Sequence, residues 1–411
     1  MVERPPHYGD RIAVDQQEGG GSPTVIYPGN GVAVSVLVIA ALFVLTQLYA
    51  AIPLLGPVGI SMEADVTFAL STCFSVTYAV GFLIWGPISD RYGRKKVMTA
   101  SIGVLAAVTL LCSGASSLPI LAGLRALQGA AASGFAPVAL AYLTEAVAPR
   151  WRVRAIGAMS AAFLVAGIFG QVLASTIALR ASWSWFFVVC GVVLAMIFTI
   201  ILFSVVEVPN HTPSMTLLQR FGNLVVLLFR PAIVLLGIAH ITLLLSFVAL
   251  YTGIGHHLED LHVAASNIIL IRLAALPAMF ISLGVGALAE RIGAIRVAQV
   301  GFGLAAVGML GEAFTDQTIF DVVASSVVYV SGVALSIPSM IMLYGETAAP
   351  HRGSGMAING FVLFVGASIG ALVGKAIGGF GTLTLTLVAL LGIAAISLLA
   401  LGAIQRKDSS S

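Results

Sequence analysis

Long apolar stretches alternate with short polar turns along most of this chain. Nearly every stretch is as long as the roughly 20 residues that a helix needs to cross a bilayer. Gly and Ala recur within many of them, which suits close helix packing in lipid. The pattern therefore predicts an all-α membrane protein with twelve transmembrane helices, over residues 32–55, 67–88, 97–115, 118–142, 155–178, 185–206, 231–252, 265–288, 296–313, 319–345, 355–378 and 380–403.

A polar interval in the middle divides the stretches into two sets of six. We expect residues 31–206 and 231–403 to form an N-terminal and a C-terminal six-helix bundle, joined by a cytoplasmic linker at 207–230. Apolar positions between Met215 and Phe229 recur at helical spacing. The linker is therefore predicted to hold an amphipathic helix that lies on the inner membrane surface.

Composition also indicates a membrane protein. Of 411 residues, 59% are hydrophobic and only 9% are charged, and the mean hydropathy is +1.05. Soluble domains carry about 25% charged residues, so this chain lacks the polar surface to cover a water-facing globule. All three cysteines lie within apolar stretches, which favours small hydrophobic residues over disulfide partners: Cys73, Cys112 and Cys190.

The distribution of Lys and Arg predicts the orientation. With the N-terminus inside, the tails 1–30 and 404–411 and the even-numbered turns hold nearly all the cations. The odd-numbered turns carry acidic residues instead, among them Glu63, Asp65 and Glu259. The positive-inside rule then predicts a multi-pass protein of the cytoplasmic (inner) membrane with both termini in the cytoplasm. The first tail is polar, contains Pro and Gly, and is expected to be disordered.

A cluster of charge separates the second and third stretches, and it reads Gly86-Pro87-Ile88-Ser89-Asp90-Arg91-Tyr92-Gly93-Arg94-Lys95-Lys96-Val97. About two hundred residues later the chain carries a fainter copy, Gly286-Ala287-Leu288-Ala289-Glu290-Arg291-Ile292-Gly293. A second pair of similar loops, which begin at Glu145 and Glu346, has the same offset. Two loops that repeat at one offset indicate a duplicated six-helix unit.

With these motifs the chain resembles the major facilitator superfamily, and in particular its twelve-span drug:proton antiporter-like branch. The stretch 86–97 is similar to the family's loop signature, Gly-x-x-x-Asp-Arg-x-Gly-Arg-Lys. The resemblance implies two pseudo-symmetric six-helix bundles and a conformational latch made of Gly86, Asp90, Arg91, Gly93, Arg94, Glu145, Gly286, Glu290 and Arg291. In such a latch, Asp90 would sit against the N-terminus of a helix from the other half, whose positive end favours a carboxylate.

The fourth stretch carries a second resemblance, to the intramembrane arginine motif of proton-coupled members, as Leu121-x-x-x-Arg125-x-x-Gln128-Gly129. The fifth stretch departs from the antiporter pattern. Gln171 stands where the antiporter signature has Pro, and the Gly-Gly pair that should follow is missing. This departure leaves open whether the protein is an antiporter or a symporter.

Charged and titratable side chains within apolar stretches are costly and point to function. The candidate residues for proton coupling and for the substrate cavity are Arg125, Gln128, Gln171, His240, Arg272 and Lys375. Small residues beside Arg125 would let a cavity reach it, whereas Lys375 could extend to the surface and His240 could be an ordinary core histidine. No Asp or Glu lies in the middle of a stretch. A cavity with two arginines and no carboxylate should favour anionic or neutral solutes.

The sequence has no phosphate-binding loop, metal-ligand cluster or nucleophile set, so neither an enzymatic activity nor a cofactor is predicted. We predict a monomeric, proton-coupled secondary transporter that exports small organic compounds. Its predicted partners are an anionic or neutral small molecule, protons and the lipid bilayer, and not nucleic acid. One alternative is a proton symporter or exchanger that imports an organic anion. The other is a non-transporting sensor or scaffold on the same fold.

Overall fold

The computed structural model of the protein describes residues 13–14, 25–26, 30–207, 217–260, 265–314, 318–349 and 351–410. Within these residues, twelve helices are long and apolar enough to cross a membrane, as predicted. They are called spans 1–12 in chain order: Gly31–Tyr49, Phe68–Tyr92, Arg94–Cys112, Leu118–Ala146, Arg154–Arg180, Trp183–Ser204, Pro231–Gly255, Asn267–Ile292, Ala294–Phe314, Phe320–Thr347, Gly353–Ala376 and Phe380–Ile404.

Several helices continue beyond the span they contain. These longer helices are Asn30–Tyr49 in span 1, Pro149–Arg180 in span 5, Pro231–Asp260 in span 7, Ile319–Thr347 in span 10, Arg352–Ala376 in span 11 and Phe380–Ser410 in span 12. The first predicted stretch divides in two, because span 1 ends at Tyr49 and a separate apolar helix, Ala51–Met62, follows. That second helix ends at Met62, and the following Glu63 adopts a left-handed conformation with φ 50°.

Three spans are not regular α-helices throughout. Span 2 begins with a π-helical turn, Phe68–Thr72. Span 4 consists of two helices, Leu118–Ala132 and Ala136–Ala146. Span 8 is built from Ala265–Ala274, Leu276–Met279, the 3-10 helix Phe280–Gly284 and Val285–Ile292. Pro277 lies at the break in span 8, where it removes a backbone donor and so prevents a continuous helix.

The linker and the N-terminal tail are described only in part. The linker holds the helix Leu217–Leu228, hereafter the linker helix, and residues 208–216 lie outside the described residues. Its Leu224 and Leu227 are buried, whereas Val226 is exposed. In the tail, the two-residue strands Ala13–Val14 and Val25–Ile26 pair antiparallel. The rest of the tail, for which disorder was expected, lies outside the described residues up to residue 29.

The two sets of six spans pack in the same way. In the N-terminal half, span 1 packs against spans 5 and 6, span 3 against spans 4 and 6, and span 2 against span 4. In the C-terminal half, span 7 packs against spans 11 and 12, span 9 against spans 10 and 12, and span 8 against span 10. Each pairing recurs six spans later, which gives two pseudo-symmetric six-helix bundles as the repeated loops predicted.

Glycines bring several of these helices into backbone contact. On span 11, a Cβ at Gly370 would lie 2.5 Å from the Leu245 carbonyl oxygen, and one at Gly374 would lie 2.7 Å from that of Ala249. Such short distances leave no room for a side chain, so spans 7 and 11 depend on glycine at these positions. Small residues play this part in membranes because lipid offers no hydrophobic drive for helices to associate.

The halves meet along spans 2 and 11 and along spans 5 and 8. Tyr78 of span 2 packs edge-on against Phe364 of span 11, with ring centroids 4.4 Å apart, and Tyr49 packs against Phe247 of span 7 at 5.7 Å. The face that carries the linker helix and the Gly93 turn is called the linker face. The face at the other ends of the spans, which carries Asp65, is called the far face.

Candidate functional site

The charged turn between spans 2 and 3 requires glycine at one position. Gly93 has φ 106° and ψ 141°, outside the range that residues with a Cβ readily adopt. The matching Gly293, between spans 8 and 9, has φ 88° and ψ 142°. In both turns the glycine N–H donates to the carbonyl oxygen four residues earlier, at 3.0 Å and 2.8 Å. The backbone of the turn is thus duplicated along with the sequence.

Arg94 is the centre of the first turn and is nearly buried, with 8% exposed. Its guanidinium forms an ion pair with Asp90 and a second one with Glu145 of span 4, with Nη2 to Oε1 at 2.9 Å. Nη1 also donates to the Ser89 hydroxyl at 2.6 Å. One arginine therefore ties the end of span 2 to the linker-face end of span 4.

Glu207 also belongs to this site, and the sequence analysis did not identify it. Its carboxylate follows span 6 and accepts hydrogen bonds from the backbone N–H groups of Lys95 at 3.0 Å and Lys96 at 3.2 Å. It therefore caps the N-terminus of span 3, where the helix dipole favours a negative charge. The family resemblance implies that Asp90 sits at the N-terminus of a helix from the other half, and this stays a prediction. The structure shows an ion pair of Asp90 with Arg94 of the same turn.

The remaining latch candidates make fewer contacts. The Gly86 carbonyl accepts a hydrogen bond from Ser89 at 2.8 Å, and the exposed Arg91 lies over the Tyr92 ring at 5.5 Å. In the second turn, Glu290 and Arg291 are exposed, and a Cβ added to Gly286 would meet nothing within 4 Å. The two turns thus share a backbone, whereas the network of ion pairs is described only for the first.

Arg125 lies at the centre of a buried polar cluster between spans 1, 2, 3 and 4. Its Nε donates to the Leu70 carbonyl at 2.7 Å, and its Nη2 donates to the Gln47 carbonyl at 2.9 Å. Nη1 donates to Oε1 of Gln128 at 2.5 Å. The Gln128 amide group donates in turn to the Gln47 side chain at 3.1 Å and to the Thr109 hydroxyl at 2.7 Å.

Local structure explains why a cation is accommodated here. Leu70 lies within the π-helical turn of span 2, a geometry that disturbs the regular backbone bonding and so presents a carbonyl to a side chain. The guanidinium also lies over the Phe74 ring at 4.5 Å. The side chain of Arg125 is 0% exposed, so the expectation that a cavity reaches it does not hold in this structure.

Arg272 lies at the boundary between the halves. It is 4% exposed, and its Nη1 donates to the hydroxyl of Ser175 on span 5 at 2.9 Å. A Cβ at Gly255 of span 7 would lie 3.7 Å from its Nη2. The arginine is therefore enclosed by spans 5, 7 and 8 near the far face, in a position where relative motion of the two halves must change its surroundings.

Lys375 lies at the far face and is partly exposed, which is the surface position that the sequence left open. Its side chain is 43% exposed, and its Nζ lies 2.5 Å from Oδ2 of Asp65. The pair links span 11 of one half to the loop before span 2 of the other, at the far face. The ammonium group and the Thr67 backbone N–H together hold the pKa of Asp65 down at about 2. Lys375 therefore has a carboxylate as its partner at the far face.

Two other predicted residues are fully buried. His240 of span 7 contacts the Asn359 amide group through its Nε2 at 3.0 Å, and its ring lies 5.6 Å from that of Tyr344. On span 5, Gln171 donates to the Gly167 carbonyl at 2.7 Å. The structure thus distributes the predicted coupling residues over four places: the Arg125 cluster, the boundary between the halves, span 7 for His240, and span 5 for Gln171.

Glu312, near the far-face end of span 9, is a buried carboxyl group that was not among the candidate residues predicted from the sequence. It is 4% exposed, and its Oε1 accepts a hydrogen bond from the Ser326 hydroxyl of span 10 at 2.8 Å. The sequence feature that could have indicated its burial is the pair of nearby glycines, Gly308 and Gly311, because small residues allow span 10 to pack closely over Glu312. Within the described residues, no group of three or more His, Cys, Asp or Glu side chains could hold a metal ion.

Comparison with known proteins gives a consistent result. The model of the Major Facilitator Superfamily matches residues 37–371. An uncharacterized transporter of Buchnera aphidicola subsp. Schizaphis graminum is 26% identical over 75% of this chain and 74% of its own. The uncharacterized MFS-type transporter YwfA of Bacillus subtilis is 23% identical over 80% of this chain and 81% of its own. The inner membrane transport protein YnfM of Escherichia coli is 26% identical over 56% of this chain and 55% of its own.

Proposed function

Because the chain belongs to the major facilitator superfamily, we propose that it is a proton-coupled secondary transporter that exports small organic compounds by alternating access. The family and its relatives identify a membrane transporter rather than an enzyme. Proton coupling, the direction of transport and the substrate are the parts that we add. The proposed location is the cytoplasmic membrane, with both termini inside.

The contact between the halves at the far face is the observation that carries the proposal. Among the described residues, three polar contacts join the halves there: Asp65 with Lys375, Ser175 with Arg272, and the Thr72 hydroxyl with the Ser368 carbonyl at 3.4 Å. All three involve side chains that water can solvate when the halves separate. Such contacts close one side of a pathway and can be broken at modest cost, which alternating access requires.

The turn at the linker face, at the opposite ends of the spans, supports the same proposal. Arg94, the first residue of span 3, pairs with Asp90 of span 2 and with Glu145 of span 4, so that these spans of the N-terminal half move as one body. Span 2 is also the span that meets span 11 of the other half. A rigid first half that packs along one helix of the second half is the arrangement that a rocking motion needs.

The charge of the substrate follows from the boundary between the halves. Arg272 lies there with a hydroxyl group as a partner, and a guanidinium beside a pathway favours anionic over cationic solutes. We therefore propose an anionic or neutral substrate. The same observation supports a second candidate function, the import of an organic anion together with protons.

The test is transport by the purified protein in proteoliposomes with a pH-sensitive dye inside. Candidate anionic, neutral and cationic compounds are supplied on one side of the membrane under an imposed pH gradient. Substrate movement against the proton movement supports export by antiport, and movement in the same direction supports the import of an anion. If a panel that includes anions and neutral compounds produces substrate flux without any proton flux, proton coupling is refuted.

A further inference from the structure

We propose that Glu312 is a proton-binding residue whose protonation favours closure of the far face. This inference rests on the proposed proton-coupled transport and assigns one of its proton sites. Glu312 lies outside both the charged turn and the Arg125 cluster. It is instead part of a polar cluster near the far face that reaches the boundary between the halves.

The surroundings of Glu312 disfavour a charged carboxylate in the closed conformation. Its Oε1 has the Ser326 hydroxyl as a donor, and its Oε2 has no hydrogen-bond partner among the described residues. Span 10 covers it closely, since a Cβ at Gly308 would lie 2.7 Å from the Cα of Tyr329. A buried carboxylate with one neutral donor is costly, whereas the protonated acid removes the charge.

Glu312 shares one polar neighbour, Tyr251, with the arginine at the boundary between the halves. Tyr251 of span 7 is buried and lies within electrostatic range of Ser326, Glu312 and Arg272. Arg272 in turn donates to Ser175 of the N-terminal half. The cluster therefore contains a titratable acid and the cation that bridges the two halves, both within the low-dielectric interior where charges interact strongly.

Among the residues that the structure describes, the other titratable groups on the spans near Glu312 already have partners. On span 10, Tyr329 shares a hydrogen bond with Ser246 at 2.8 Å, and Asp321 accepts one from Thr318 at 2.7 Å. Beyond the end of span 7, the His257 ring stacks on Phe380 at 4.5 Å. Span 12, which also packs against span 9, has no titratable side chain between residues 380 and 404.

These contacts set the direction of the effect. When Glu312 loses its proton, it becomes a carboxylate in a site that offers one neutral donor, the Ser326 hydroxyl, and this charge is costly while the site stays dry. Separation of the halves hydrates the cluster, which stabilises the charge. Deprotonation therefore favours an open far face, and protonation favours a closed one. A proton taken up from the far side would drive the return to the conformation seen here, as export by antiport requires.

Asp65 cannot produce this response. Its pKa is held at about 2 by Lys375, so Asp65 stays ionised from pH 8 down to about pH 4. His257, which lies beyond the end of span 7, is given a control of its own.

The experiment measures the opening of the far face without any substrate. A cysteine at Ser368, which is 5% exposed between spans 2 and 11, is placed in a background whose three native cysteines are alanine. The protein is held in nanodiscs and labelled with an impermeant thiol reagent at pH 5 to 8. We expect the labelling rate to rise with pH and to approach a tenfold change per pH unit, about the limit for one fully coupled proton.

Three variants make the result specific. Glu312→Gln keeps the hydrogen bond to Ser326 and mimics the protonated acid, so labelling should be slow and independent of pH. Glu312→Asp should retain a pH response. Glu63→Gln, which changes an exposed carboxylate of the far face, and His257→Gln should both behave like the parent.

Each contrary outcome has one meaning. A parent protein with pH-independent labelling, or a Glu312→Gln variant that keeps the parent's pH response, overturns the role of Glu312. A response that disappears in His257→Gln assigns the proton to the histidine and also overturns it. The labelling needs no substrate, whereas the proposed function fails on a different result, the absence of proton flux during transport in proteoliposomes.

Discussion

Replacement of Arg125 by lysine tests whether the buried guanidinium acts as a connector between spans. Three of its nitrogens donate to three acceptors, which are supplied by Leu70 of span 2, Gln47 of span 1 and Gln128 of span 4 itself. A lysine keeps the positive charge but carries a single nitrogen on a flexible chain. We expect Arg125→Lys to reach one of the separated acceptors and to leave two of them without a donor.

The size of the effect follows from the two lost bonds. A hydrogen bond from a charged donor contributes about 1.5–3 kcal/mol, and side-chain bonds within membranes lie at or below the lower end of that range. Two bonds at about 1.5 kcal/mol each give a loss of about 3 kcal/mol in the free energy of unfolding. The contact of the guanidinium with the Phe74 ring at 4.5 Å adds to this loss, because an ammonium group lacks the planar face that stacks on the ring.

The assay is unfolding of the purified protein in mixed micelles of increasing denaturing detergent, followed by the loss of helical circular dichroism. Arg291→Lys is the matched control, because Arg291 is exposed and a surface substitution changes the stability by less than about 0.5 kcal/mol. The reasoning is refuted if Arg125→Lys unfolds within about 0.5 kcal/mol of the parent protein. Transport should be lost in the same variant, since spans 1, 2 and 4 are no longer held in one arrangement.

Four further predictions address the turn, the orientation, the charge of the substrate and the far face. Asp90→Asn should fold nearly normally, because a partly exposed ion pair contributes less than about 1 kcal/mol to stability. Its transport rate should nevertheless fall by about tenfold, the scale of a coupling energy between conformations. A normal rate would mean that Asp90 only helps to set the orientation in the membrane. Cysteines at Lys95 and Glu63 should react with impermeant reagents only from the cytoplasmic and the external side respectively, and labelling of Lys95→Cys in intact cells would contradict the orientation. Arg272→Gln should weaken the binding of an anionic compound more than that of its neutral analogue in a competition assay, and equal losses would refute the anionic preference. The Asp65 ion pair should persist down to about pH 3, because the pKa of this carboxyl group is depressed in the folded protein. Such a group stabilises the fold above its unfolded-state pKa, and this stabilisation is lost as the pH falls through its folded-state pKa. Asp65→Asn should therefore speed thiol labelling between the halves at neutral pH, and an unchanged rate would show that the pair does not help to close the far face.

The local pattern of the sequence was sufficient for the architecture. Twelve apolar stretches became twelve spans because each stretch satisfies its own backbone hydrogen bonds within one helix, wherever its neighbours lie. The duplicated turn was also visible in the sequence, since a positive φ at Gly93 and Gly293 depends on the residue type itself. The linker helix was predictable for the same reason, because its apolar positions recur within a few turns of chain.

These sequence patterns did not predict which residues of different spans interact. The sequence marks Arg125 as unusual, but its acceptors Leu70 and Gln47 come from other spans, and neither carbonyl has a signature in the sequence. For Glu207 and Glu312 the sequence patterns failed in a second way, because they did not mark either residue as unusual. Both looked like polar residues at the ends of spans, yet one caps the N-terminus of span 3 and the other is covered by span 10.

The sequence by itself determined which segments cross the membrane and which residues are too polar to lie there without a reason. Only the tertiary structure decided which of those residues are enclosed, which are paired and which lie between the halves. Lys375 and Arg272 are both cations within apolar stretches, but one pairs with Asp65 at the far face and the other is enclosed by three spans. The physical reason is that the cost of a charge depends on the solvent and the partners around it, and the packing of distant helices supplies both.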